Sequence, residues 1–140
     1  MLPIAQITEV LKIKLARIVP IPQLPPWVMG VHNWRGDILW MVDLSHLLGL
    51  NSWYRQISFG NCDVVVLSPN KAMPLAENEI HLGLVVYKVE DIKECDSTEI
   101  QPTLGKTVAK IADFASGYWQ SEGKIVSILD GNAIARAMPT

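Results

Sequence analysis

The sequence predicts a mostly β protein of two small lobes, each built around one hairpin that runs into a short helix. Three observations carry this. The stretch from Trp27 to Leu44 reads as strand, tight turn and strand. A second stretch, Phe114 to Asp130, repeats it in register. The 140 residues, 49% of them hydrophobic, suffice for one domain that folds without staples.

In the first stretch Val28, Val31 and Trp34, then Ile38 to Val42, are residues that fill a pleated, half-buried surface. The break falls at Arg35-Gly36-Asp37, where Gly36 can take the positive φ of a hairpin turn. Asp43 closes the second strand and is placed to N-cap a short helix, Leu44 to Leu48, with Gly49 as the C-cap. In both copies an aromatic residue stands three positions before a first glycine, a second glycine follows by six, an isoleucine by two more and an aspartate by five more. An apolar helical tail follows each, the second at Ala133–Met138. One supersecondary unit used twice is the simplest physical account.

In chain order, Ile4, Ile7 and Leu11 are spaced as on a helix, whereas Leu11, Ile13 and Leu15 alternate as in a strand, so a helical turn should pass into a strand near Thr8. Ile18 to Pro26 holds four of the nine prolines and should run extended along the surface as a stiff connector. Asn51 to Gln56 reads as a lobe connection, dividing the chain into lobes at 1–57 and 58–140, with the C-terminal segment able to pack on the first lobe. Cys62–Leu67 and Ile80–Val86 are strands, separated by a loop over Lys71–Asn78. Gly83, inside the second, predicts a bulge or a close backbone neighbour.

Composition excludes several classes of function. The net charge is −2, with Lys and Arg scattered, which leaves no basic groove for nucleic acid and no patch for an anionic membrane. Apolar runs such as Ile38–Val42 are about a quarter of the ~20 residues that a membrane span requires. No secretory signal pattern stands at the start, so a cytoplasmic location is expected. Cys62 and Cys95 are expected as free thiols. His32, His46 and His81 lack metal-ligand spacing to any Cys or carboxylate, so no metal is expected. No nucleophile elbow, P-loop or dinucleotide fingerprint occurs, and the expectation is no enzyme and no cofactor. Arg35-Gly36-Asp37 spells a cell-adhesion tripeptide, but a hairpin turn accounts for it without an extracellular context.

Val19-Pro20, then Pro26-Trp27-Val28-Met29-Gly30-Val31-His32-Asn33-Trp34-Arg35-Gly36 and the Ile38–Leu44 strand, resembles the signature of the CheW-like domain. Leu82 to Val86 with Val89 and Ile92 resembles its second-lobe pattern, and Gly117 to Leu129 its closing hairpin. The resemblance spans nearly the whole chain. It implies two small SH3-like or OB-like β-barrel lobes in a non-enzymatic adaptor. Such adaptors link methyl-accepting chemoreceptor-type proteins to a CheA-type histidine kinase, by docking on the kinase's own CheW-like regulatory domain, in the two-component signalling of chemotaxis, phototaxis or motility.

It also implies sites. Arg35, beside Gly36, matches a receptor-facing arginine held by a glutamate that corresponds to Glu9, with Ile7 on the same face. Leu82, Gly83 and Leu84 mark the second-lobe strand near which a kinase domain would dock. A structural Arg–Glu pair and a core role for Ile7 stay open. The chain departs from the pattern in three places. Family members carry a further hairpin before the position of Ile4, so the first lobe is expected to be open or completed by another chain, with a homo-oligomer as one outcome. Tyr87 stands where an aspartate is common. Trp34, Trp40 and Trp53 replace lighter aliphatics. Two further readings stay open: a small-ligand sensor with a pocket between lobes lined by these tryptophans, and a truncated, self-associating relic.

Overall fold

Seven strands and three short helices make up the computed structural model, which describes residues 1–51, 60–67, 81–102 and 111–138. A short 3-10 turn at Ile4–Gln6 passes into strand β1 (Ile7–Lys14), as the change of periodicity near Thr8 predicts. The first hairpin is β2 (Val28–Trp34) and β3 (Asp37–Asp43), followed by α1 (Leu44–Leu47). Then come β4 (Asn61–Leu67) and β5 (His81–Val86). α2 (Ile111–Phe114) leads into the second hairpin, β6 (Ala115–Ser121) and β7 (Lys124–Leu129), and α3 (Gly131–Arg136) closes the described chain. The loop expected over Lys71–Asn78, the connection at Ser52–Gln56 and Trp53 lie outside the described residues.

The strands form one five-stranded sheet, ordered β1-β4-β5-β3-β2, and one two-stranded sheet, β6-β7. All pairings are antiparallel except that of β3 with β5, where Leu39 to Asp43 run alongside His81 to Val85. The larger sheet thus draws strands from both sides of residue 57. Mostly β architecture in two sheets is as expected, and neither sheet closes into a barrel among the described residues. The short sheet is the C-terminal one. On the outer edge of β7 sits the main chain of Met1: its amino group donates to the Ser127 carbonyl at 2.9 Å and its carbonyl accepts from Leu129 N–H at 2.8 Å.

The two hairpins are copies in detail. Each turn has two residues with positive φ, Arg35 and Gly36 at 52° and 82°, Glu122 and Gly123 at 50° and 76°. That mirror-image geometry matches the twist of paired strands. Each first strand carries a register shift, at Val28/Gly30 and at Ala115/Gly117. A crossing chain bridges to the residue after each of these glycines, Val19 to Val31 and Gln101 to Tyr118. A Cβ on Gly30 would lie 2.2 Å from Val19 O, and one on Gly117 2.5 Å from Gln101 O. Asp43 N–H donates to Trp27 O at 2.9 Å and Asp130 N–H to Phe114 O at 2.7 Å. Each aspartate then caps a helix, Asp43 accepting from His46 N–H and Asp130 from Asn132 N–H. The crossing bridges also share an Ile-x-Pro pattern, Ile18-Val19-Pro20 and Ile100-Gln101-Pro102, which the sequence reading did not single out.

Both faces of the large sheet are buried, because alternate residues of its central strands are apolar on each side. Val42, Val65, Leu67, Leu82 and Leu84 pack with Leu47, Phe114, Leu129, Ile134 and Met138, so the C-terminal hairpin and α3 cover that face. Leu39, Met41, Val64, Val66 and Val85 pack on the other face with Ile13 and Ile18. Gly83 shows neither the bulge nor the close backbone neighbour expected of it: side chains crowd it instead, and a Cβ there would lie 2.9–3.0 Å from side-chain atoms of Val64, Leu39 and Met41.

Candidate partner-binding site

Five strand ends meet at one end of the large sheet: the start of β1, the end of β4, the start of β5, and the end of β2 and start of β3 with the turn between them. Arg35 occupies the turn, where a positive φ of 52° is uncommon for a residue with a Cβ. Gly36 N–H donates to Asn33 Oδ1 at 3.1 Å, which ties the turn to the strand before it. The turn lifts the Arg35 side chain clear of the sheet, and it is 66% exposed.

Arg35 reaches across the sheet end to β1. Its Nη2 lies 2.6 Å from Glu9 Oε2, with the glutamate side chain 26% exposed. That oxygen is buried and accepts no aligned hydrogen bond, so the contact is an ion pair whose N–H does not point squarely at its acceptor. An ion pair this open to water contributes under about 1 kcal/mol to stability. Its consequence is directional: one edge of the guanidinium is tied inward, and the remaining donors face outward.

A second row of contacts continues from Arg35. Its Cζ lies 5.1 Å from the centroid of the Trp34 ring. Trp34 meets the His81 ring edge-on, with centroids 5.3 Å apart and planes at 61°. His81 Nε2 is 3.9 Å from Asp37 Oδ2. Trp34 Nε1 is buried, with no hydrogen-bond partner among the described residues. Residue spacing gave no sign of His81 in this group, since only the parallel pairing of Leu39 with His81 brings it beside the turn.

The structure brings Glu9, Arg35 and Gly36 together. Ile7 begins β1 opposite Leu67 and packs, half-buried, against the large core. Leu82, Gly83 and Leu84 are elsewhere and require a correction as contact residues: Leu82 and Leu84 are 1% and 0% exposed inside the sheet, and Gly83 is buried under Val64, Leu39 and Met41. A central strand covered on both faces presents no side chain to a partner. The exposed apolar residues near it lie just past its end, Tyr87, Val89 and Ile92 at 75%, 40% and 77%.

Trp53, the third tryptophan of the expected inter-lobe pocket, lies outside the described residues, and the other two point to different places. Trp40 packs against one core and Trp34 against the other. An open groove of about 250 Å³ does exist, but Val19, Val31, His32, Asn33, Gly36, Asp37 and Ile38 line it. Among the described residues no group of three His, Cys, Asp or Glu could hold a metal ion. Cys62 and Cys95 are free thiols. No helix there is long and apolar enough to cross a membrane.

The sequence profile of the CheW-like domain matches residues 1–138. The chain is 28% identical over 115 residues to a chemotaxis protein CheW of Rhizobium meliloti, covering 82% of this chain and 67% of that one. Its fold is similar to that of the scaffolding protein TtCheW of Thermoanaerobacter tengcongensis, with a TM-score of 0.72 at 23% identity, over 92% of this chain and 79% of that one.

Proposed function

Since the chain belongs to the CheW-like domain family, we propose that it is a non-enzymatic adaptor in chemotaxis-type signal transduction, coupling a chemoreceptor-type protein to a CheA-type histidine kinase. The similarity to a chemotaxis protein CheW and to a scaffolding protein supports that reading. The observation that carries it is the Glu9–Arg35 pair at an exposed corner of the sheet. A guanidinium held on one side and open on the other is built for a directed polar contact rather than for stability.

In this reading Arg35, Gly36 and Glu9, with Ile7 beneath them, face the receptor. The kinase's regulatory domain docks on the apolar residues past β5, Tyr87, Val89 and Ile92, whose side chains are open to solvent. The output, whether chemotaxis, phototaxis or motility, follows from which receptor and kinase are engaged. The expected location is the cytoplasm, where both partners present their signalling domains.

The test is Arg35→Glu, which reverses the charge at the corner and places a like charge against Glu9. Pull-down with the receptor's cytoplasmic segment should fall at least tenfold while circular dichroism and the unfolding midpoint stay within those of ordinary surface substitutions, about 0.5 kcal/mol plus the lost pair. A variant that unfolds, or one that binds the receptor unchanged, would overturn the assignment of this corner.

A further inference from the structure

Among the described residues two side chains hold Arg35, one a charge and one a ring. Glu9 fixes the Nη2 side of the guanidinium at 2.6 Å, while the Trp34 ring lies 5.1 Å from Cζ. A guanidinium is weakly hydrated and can lie over an indole with little loss of solvation, and the 5.1 Å separation is within cation–π range. Trp34 is itself held. The edge contact with His81 fixes the tilt of the indole, and His81 comes from β5, the strand paired in parallel with β3 beside the turn. The side chain of His81 is 22% exposed, whereas that of its other neighbour, Asp37, is 64% exposed. An aliphatic side chain at position 34 would fill the same half-buried place but offer no face to a cation. The ring is thus placed to act on the arginine as well as to fill volume.

We propose that Trp34 and His81 are positioning residues for Arg35: the indole orients the guanidinium plane, the imidazole locks the indole, and the pair sharpens the choice of partner at this corner. The inference rests on the reading of Arg35 as a partner contact. Of the five groups involved, Trp34, Arg35 and Asp37 lie around the turn, Glu9 comes from β1, and His81 arrives from a strand more than forty residues after the turn. The turn alone therefore does not define the site.

Two measurements on the full chain test this. The first needs no partner. In nitrogen-edited NMR the Arg35 Nε–Hε resonance should carry an upfield ring-current shift that disappears in Trp34→Leu, persists in Trp34→Tyr and diminishes in His81→Asn. An Arg35 resonance unmoved by Trp34→Leu overturns the proposal. The second is a double-mutant cycle on binding to the receptor's cytoplasmic segment, with each variant checked for an intact unfolding transition. Trp34→Leu should weaken binding about twofold to fivefold, the range expected for a partly exposed cation–π contact, and Trp34→Tyr should restore most of it. Combined with Arg35→Gln, Trp34→Leu should add no further loss, because it acts through the arginine. Fully additive losses overturn the positioning role while leaving Arg35 as a contact. If Arg35→Gln itself has no effect on binding, the partner reading fails and the inference with it, even where the ring-current shift is present.

Discussion

At the scale of single residues, the glycines separate two physical demands that look alike in the sequence. Gly30 has a φ of 143° and the Val19 carbonyl passes 2.2 Å from where its Cβ would be. Gly36 has a φ of 82° with nothing within 4 Å of that place. Gly30→Ala meets both strain and collision and is expected to cost more than about 3 kcal/mol in denaturant unfolding, whereas Gly36→Ala meets strain alone and should cost about 1 kcal/mol. Equal losses would mean that the crossing chain at Val19 yields freely. Cys62 makes a different demand. It is 2% exposed and its thiol donates to the Ile13 carbonyl at 3.3 Å. Burial first, then the neighbouring Asp63 carboxylate, pushes its pKa up to about 11. The folded state thus keeps a proton that the unfolded chain gives up from its ordinary value of 9.0. The stabilisation is complete below that value and is lost as pH rises through the folded one. Unfolding free energy should therefore fall between about pH 9 and 11, and Cys62→Ala should flatten that part of the profile. A profile identical to that of the parent chain would count against a buried, protonated thiol.

Among elements, the repeated hairpin is the organising unit, and the aspartate at its end joins strand to helix in both copies. Asp130 accepts from Asn132 N–H at 3.0 Å and from Gln6 Nε2 at 3.3 Å, and Gln6 Oε1 accepts from Gly131 N–H at 2.8 Å. The start of the chain is in this way clamped to the start of α3. Asp130→Ala removes a cap and leaves the glutamine amide with one partner, and should lower stability by about 1–2 kcal/mol in chemical denaturation. Asp130→Asn keeps an acceptor for the cap and should recover more than half. Failure of the asparagine to recover would show that charge, rather than the hydrogen bond, is what α3 needs.

Taken whole, the molecule is asymmetric despite its repeat. The first hairpin is embedded in a five-stranded sheet, with β5 in parallel on β3, while the second, among the described residues, has Met1 on the corresponding edge of β7. Among the described residues the larger sheet ends at β1 and β2 without closing, so self-association through an open first lobe stands as the proposed competitor of kinase docking. Light scattering of the chain alone, and then with the CheW-like domain of a kinase from the same cell, separates the two. The adaptor reading expects a monomer that shifts to a one-to-one complex. A dimer that ignores the kinase domain would mean that a second copy completes the open first lobe.

Local chemistry made most of the elements legible. The register shared by Trp27–Asp43 and Phe114–Asp130 announced two hairpins and two capped helices, because turn geometry, strand patterning and N-caps are decided by residues within a few positions of one another. It also placed Arg35 at a turn, and the resemblance to a known family supplied its pairing with Glu9. What spacing did not reveal was set by contacts between distant segments. Leu82 and Leu84 read as ordinary apolar strand residues, and only the assembly of β5 between β4 and β3, with both sheet faces covered, removes them from the surface. His81 joins the Arg35 corner only through a parallel pairing that links residues 39 and 81. Local sequence accounts for the hairpins, the caps and the turn that displays Arg35. The tertiary structure decided which strands share a sheet, which apolar residues are core, and which side chains stand behind the arginine, since pairing partners far apart in the chain are chosen by the burial of whole faces rather than by any local preference.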